Sequence, residues 1–148
     1  VIFLFLAAAA GGHGIEPSRD DISFVSVEGY PVAKTDCPLD LLLAAEYAAE
    51  VLGVPERLAS TIAIHESRCD EKALGALGEV GVMQIRPELW LGDLCRAGIA
   101  CSEAELWDAT TNVEAGVWIL SRFPGSAWSR AKRYNGSAAY ADAIRRKM

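Results

Sequence analysis

Past residue 36 the chain sets apolar against polar positions with a helical period, interrupted by Gly, Pro and Asn. Asp36 with Pro38 just behind it marks a helix start, Leu39–Leu52 supplies Ala, Leu and Glu, and Gly53 stops the run. Pro55 is expected to open a second helix reaching about Arg68. Gly75, Gly78 and Gly81 then predict a bent loop. Their GxxGxxG spacing, with no strand before it, is not the GxGxxG of a dinucleotide site. Ser102 ahead of Glu105 and Thr111 ahead of Glu114 match the S/T-x-x-E capping box and predict two further helix starts. Val113, Gly116, Val117 and Leu120 follow at i, i+3, i+4 and i+7, a buried stripe whose glycine permits close helix contact. Two last helices are expected over Ala127–Tyr134 and Ser137–Arg146, separated by Asn135 and Gly136. There is no repeat and no sign of a second folded domain, so the expected fold is mostly α, one compact helical domain over residues 37–148.

The first 36 residues follow a different pattern. Val1 to Ala10 is an unbroken apolar run leading into Gly11 and Gly12. Ten residues are too few to cross a bilayer as a helix, and small residues follow, so residues 1–12 read as part of a signal peptide cleaved near Ala9 to Gly12. No initiator Met or basic segment precedes the run. A longer anchor helix is therefore the competing reading. Residues 13–36, rich in Gly, Pro, Ser and Asp with one β-like run from Ile22 to Val27, read as a linker or short edge segment.

Composition narrows the function. Of 148 residues 51% are hydrophobic and 23% charged, enough apolar surface for a core. Lys plus Arg number 14 against 20 Asp plus Glu, a net charge of 14 − 20 = −6. At a pI of about 4.9 no basic tract supplies the counterion release that drives binding to nucleic acid. Export to a periplasm or cell envelope would make Cys37, Cys69, Cys95 and Cys101 readable as two disulfides. Four cysteines allow three connectivities. Cys95 and Cys101 flank a short loop around Gly98, which favours Cys95–Cys101 and leaves Cys37–Cys69. A zinc site is the weaker alternative, because there is no CxxC and only His13 and His65 could join the thiolates.

One residue stands out chemically. Ala59, Ile62, Ala63 and Glu66 lie three or four apart, so Glu66 continues an apolar stripe instead of the wet face. Poor solvation favours a protonated carboxyl, the state a general acid needs near neutral pH. The plainer reading is an acid at a frayed helix end, paired with Arg68 or capping an amide.

Three short runs bear on that choice: Glu66-Ser67-Arg68, then Gly78 to Ile85 with Gly81-Val82-Met83-Gln84-Ile85 at its end, then Tyr134-Asn135-Gly136. In this order they resemble the lytic transglycosylase domain of the soluble Slt type, related to goose-type lysozymes. The Asn112 to Leu120 helix fits the family's glycine-containing helix. The resemblance implies a lysozyme-like helical domain with a substrate groove, acting on peptidoglycan glycan strands without cofactor or metal. Glu66 would be the single acid and base. It would protonate the bridging oxygen of the β-1,4 bond between N-acetylmuramic acid and N-acetylglucosamine while the muramic C6 hydroxyl closes on C1, leaving a 1,6-anhydromuramoyl end. Gln84 would contact an acetamido group, Met83 would line the groove, and Tyr134 would hydrogen-bond Glu66, with Ser67 and Asn135 assisting. For Met83 and Tyr134 a core position is the alternative.

Glu79, in the glycine loop, is a better candidate for a second acid than Asp70, which follows Glu66 by four residues on the same side of the helix, the alternative for Glu79 being a solvated or hydrogen-bonded loop residue. It would serve a hydrolytic muramidase, the second function in view; a noncatalytic glycan-binding assembly protein is the third. Small exported domains of this type resemble those that open the wall for secretion or conjugation machines, and no stable membrane insertion is expected once a signal is removed. His65-Glu66 begins HExxH, but Cys69 occupies the second histidine position and excludes a zincin. Trp90, Trp107, Trp118 and Trp128 are candidates for sugar stacking, Trp118 more readily as core.

Overall fold

The computed structural model describes residues 37–148, in which the chain forms seven helices. The expected leader, the linker with its β-like run and the Asp36 cap fall outside these residues. Helix α1 (Leu39–Val51) follows Pro38 and buries Leu41, Ala45 and Ala49, one position per turn, against α2 (Leu58–Ser67) and α5 (Ala109–Ser121). Pro55 does not open α2. It starts a turn in which Arg57 takes a left-handed conformation and donates its amide to Glu46 Oε2 at 2.9 Å, so α2 begins three residues later.

At the other end of α2, Arg68 and Cys69 are both left-handed (φ 56° and 64°), and their amides bond back to Ile64 and Ala63. That reversal puts Cys69 against the start of α1, where it is bonded to Cys37. Cys95 is bonded to Cys101 across the turn between α3 (Pro87–Arg96) and the single-turn α4 (Glu103–Leu106). These are the two pairings that the sequence spacing favours.

Helix α5 forms the centre. Val113, Gly116, Val117 and Leu120 are all buried, and so are Asn112, Ala115 and Ile119, leaving the helix enclosed on most of its surface. A methyl group at Gly116 would collide with the Met83 side chain, the close approach for which the glycine is required. The start of α5 differs from the capping-box reading. Asp108 is the N-cap, its carboxylate accepting the Thr111 amide at 2.8 Å, and Thr111 lies inside the helix. An aspartate carboxylate is a strong acceptor for the free amides of a first turn and carries the charge that the helix dipole favours there. The Ser102–Glu105 box forms as expected, yet the helix it opens is four residues long.

No helix was expected over 87–96. Pro87 stands at the first position of α3, but Leu94 is its only fully buried residue, so there is little apolar period to read. Helices α6 (Ala127–Asn135) and α7 (Ala138–Lys147) pack against each other, each capped by a serine, Ser126 and Ser137. No helix among the described residues is long and apolar enough to cross a membrane.

Residues 73–85 are more ordered than a bare loop. Val80 and Ile85 exchange both backbone hydrogen bonds (2.8 and 3.1 Å), Gly75 donates to Glu79 and Gly81 to Ala73, giving a double turn with two isolated β-bridges.

Candidate active site

The double turn is fastened to the helices at three points. Asn112, fully buried on α5, accepts the Met83 amide (2.8 Å) and donates to the carbonyls of Val80 (2.9 Å) and Leu106 (2.8 Å). Ser67, the last residue of α2, donates its hydroxyl to the Val82 carbonyl (2.7 Å). Tyr134 on α6 donates to the Met83 carbonyl (2.8 Å). Gly81 lies against Asn112, and at φ 73° with the amide that close it has no room for a side chain.

Between this turn and helices α2, α3 and α6 opens a cleft of about 540 Å³. Glu66, in the last turn of α2, lines it, half-buried, with Glu79, Gln84, Arg133, Tyr134 and Asn135. Tyr140 on α7 donates its hydroxyl to Glu66 Oε1 at 2.6 Å, and the Tyr140 ring meets His65 edge-on at 5.2 Å. Burial raises the Glu66 pKa above the ordinary carboxylate value; the Tyr140 hydrogen bond opposes this and the charge of Glu79 adds to it. The carbonyl end of α2 works in the same direction as burial. Burial and the neighbouring Glu66 charge raise the Tyr140 pKa, so its hydroxyl stays protonated and donates. The result is a carboxyl that holds its proton more tightly than one in water, oriented at one oxygen and facing an open cleft. It can act as a general acid.

Residues 44–147 match the transglycosylase SLT domain. The chain belongs to the SLT family. No curated protein matches the chain. Compact and mostly helical, the SLT domain has the lysozyme-like architecture that the resemblance implies.

Two residues of this SLT domain stand elsewhere than expected. Tyr134 does not reach Glu66; its hydroxyl is committed to Met83, and Tyr140 holds the carboxyl instead. Met83 forms no groove wall. Its side chain is fully buried against Gly116, because the Asn112 bond to its amide turns it inward. Gln84 is left-handed (φ 51°) and spends its amide N–H groups on the carbonyls of Ala73 (3.1 Å) and Gly81 (3.0 Å). Its Oε1 lies beside Gly75, whose missing side chain leaves room for both Gln84 and the Glu79 carboxylate. A substrate therefore meets Gln84 as an acceptor. Glu79 is a hydrogen-bonded loop residue, its Oε2 accepting the Leu77 amide at 2.9 Å, and it also lines the cleft. Of the four tryptophans Trp90 lines the cleft, packed edge-on against Phe123, whereas Trp128 donates to Asp142 and Trp118 lies under Arg122.

Tyr140 and Asn112 were not identified from sequence as site-forming residues. Tyr140 had a signal of the kind that marks Glu66, since it stands four residues before the buried Ile144 and places a hydroxyl on an apolar stripe.

Opposite shifts of one pH limb test the electrostatics. A general acid works while protonated, so the alkaline limb of kcat/KM follows the Glu66 pKa. Tyr140→Phe removes the contact that lowers it and should move that limb to higher pH, with a loss of rate on the order of tenfold from the lost hydrogen bond. Glu79→Gln removes a charge that raises it and should move the limb to lower pH. Limbs that stay in place in both variants would mean that Glu66 does not set the profile.

Proposed function

We propose that this SLT domain is a peptidoglycan lytic transglycosylase that cleaves the β-1,4 bond between N-acetylmuramic acid and N-acetylglucosamine, with Glu66 as its single acid and base. The observation that carries the reading is the half-buried Glu66 carboxyl, held by Tyr140 at the edge of a cleft large enough for sugar rings. Glu66 gives its proton to the bridging oxygen as the bond from that oxygen to muramic C1 breaks. The C6 hydroxyl oxygen of the same sugar bonds to C1, and its proton passes to the Glu66 carboxylate, restoring the acid. Since the nucleophile is part of the substrate, no second protein carboxyl and no activated water are needed, and the attack has the entropic advantage of an intramolecular step. Gln84, Trp90 and Asn135 supply binding surface; Ser67 and Tyr134 are positioning residues that act through the double turn. Two disulfides fit an exported protein working in a periplasm or cell envelope.

A hydrolytic muramidase is the second reading, and Glu79 favours it by placing another carboxylate on the same cleft. Water activated there would give a reducing muramic end. Mass analysis of digested peptidoglycan decides between them. The transglycosylase yields muropeptides one water lighter than a lysozyme digest and inert to borohydride at the muramic end. Borohydride-reducible muramic ends as the main product would make the protein a hydrolase.

A further inference from the structure

Helix α1 is apolar on two sides. Leu41, Ala45 and Ala49 are buried toward α2 and α5. Two positions away in sequence, and so about 200° around the helix, Leu39, Leu43, Tyr47 and Val51 make a second row at a spacing of four. They are 60, 59, 47 and 65% exposed, and none of them packs against the core. Scattered exposed leucines are normal, but a helix that rests on a core by one face ordinarily keeps the other polar. Here the outer row runs unbroken for about 18 Å. The disulfide from Cys37 to Cys69 fixes the start of the helix, and the buried inner face holds the row in place. None of the four residues lines the cleft, so the cleavage chemistry gives the row no task.

Charge and size narrow what the row can hold. From Leu39 to Val51 the helix carries Asp40, Glu46 and Glu50 and no Lys, Arg or His. Asp40 stands three residues from Leu43 and Glu50 three from Tyr47, so both carboxylates lie beside the row, exposed and without a cation among the described residues. A second copy would set these carboxylates against their own kind. It would also find too little surface, since four such side chains offer on the order of 400 Å², half of the roughly 800 Å² per partner of a stable complex. An anionic lipid surface is repelled by the same charges. A row at a spacing of four is the ridge that another helix takes into its groove. The occupant that satisfies shape, size and charge together is a helix whose apolar stripe is flanked by Lys or Arg.

We infer that the outer face of α1 is a docking ridge for a basic amphipathic helix of another protein. Leu39, Leu43, Tyr47 and Val51 supply the attraction, and Asp40 and Glu50 choose the charge of the partner. Such a contact fixes where the domain acts without occupying the cleft beside Glu66. It stands on the surface of α1 alone and does not depend on which bond the cleft cleaves.

The test uses the full oxidised chain and fluorescence anisotropy with three labelled helical peptides of about five turns. The first has leucines at every fourth position flanked by Lys and Arg. The second replaces Lys and Arg by Glu, and the third scrambles the first, keeping its charge and losing the stripe. The basic peptide should bind at least tenfold more tightly than either control, and its advantage over the acidic one should shrink as salt rises. Leu43→Ser combined with Tyr47→Ser, both exposed, should weaken the basic peptide at least tenfold. Leu89→Ser, which removes an equally exposed leucine on α3, should leave it unchanged. Glu50→Lys, an independent variant that keeps the row, should narrow the preference for the basic peptide over the acidic one. Equal binding of the basic and scrambled peptides, or an affinity that neither the double variant nor Glu50→Lys moves, overturns the proposal. So does a dimer in sedimentation that the double variant dissolves, which would give the row to a second copy. Flotation with phosphatidylglycerol vesicles that the double variant abolishes would give it to a membrane and overturns the proposal as well.

Discussion

Glu66→Gln should reduce wall cleavage by about 10²- to 10⁴-fold, the usual worth of a positioned general acid. The amide keeps the size of the side chain and can still accept the Tyr140 hydroxyl through Oε1, so the cleft loses only its transferable proton. Turbidity clearance of purified peptidoglycan measures the effect, and a variant retaining more than a tenth of the wild-type rate would take Glu66 out of its role. Stability should move the other way. A carboxyl whose folded pKa lies above its unfolded value stabilises the fold below the unfolded pKa, and that contribution is lost as pH rises through the folded one. At neutral pH the native protein therefore keeps an ionisable group where burial disfavours its charge. The glutamine variant avoids this and should melt at the same temperature or higher, a separation of activity from stability common at functional sites.

The largest structural effect is expected at Asn112. Replacing it with alanine leaves the Met83 amide and the carbonyls of Val80 and Leu106 without the partner that Asn112 gives each of them. A buried polar group left unsatisfied costs about 1–3 kcal/mol, and three neighbours that relax together should cost about 3–5 kcal/mol. Against a total stability of about 5–15 kcal/mol that is a large share. The melting midpoint should fall by roughly 10–20 °C. Because the same bonds hold the double turn against α5, cleavage should also drop at temperatures where the variant is still folded. A fall of under three degrees would show that the turn is held by its own pairing and by Ser67 and Tyr134.

Local signals carried most of the helices and failed where structure depends on distant contacts. Ser126 and Ser137 cap α6 and α7 within a residue or two of the expected starts, since a cap bonds amides three positions away. Helix α5 is visible as a stripe because it is buried. Helix α3, with one buried leucine, is not. Glu66 could be picked out from the apolar positions one turn before it only together with the family-like runs that follow, and its partner could not, because the Tyr140 contact spans 74 residues. Met83 illustrates the same limit. In a double turn no period says which side chains face inward, and the deciding bond comes from Asn112, 29 residues on.

The span between Glu66 and Tyr140 also sets an order in time. As the polypeptide is made from its amino end, α1 and α2 emerge together with the future acid, and most of the cleft wall follows through α3, α5 and α6. Until α7 has been added, Glu66 has no hydroxyl to orient it. A nascent chain halted at Gly136 thus carries Glu66, Gln84 and Asn135 and still lacks the contact that aims the carboxyl. For the glycan cleavage proposed above, competence arrives with nearly the last turns of the domain to be synthesised.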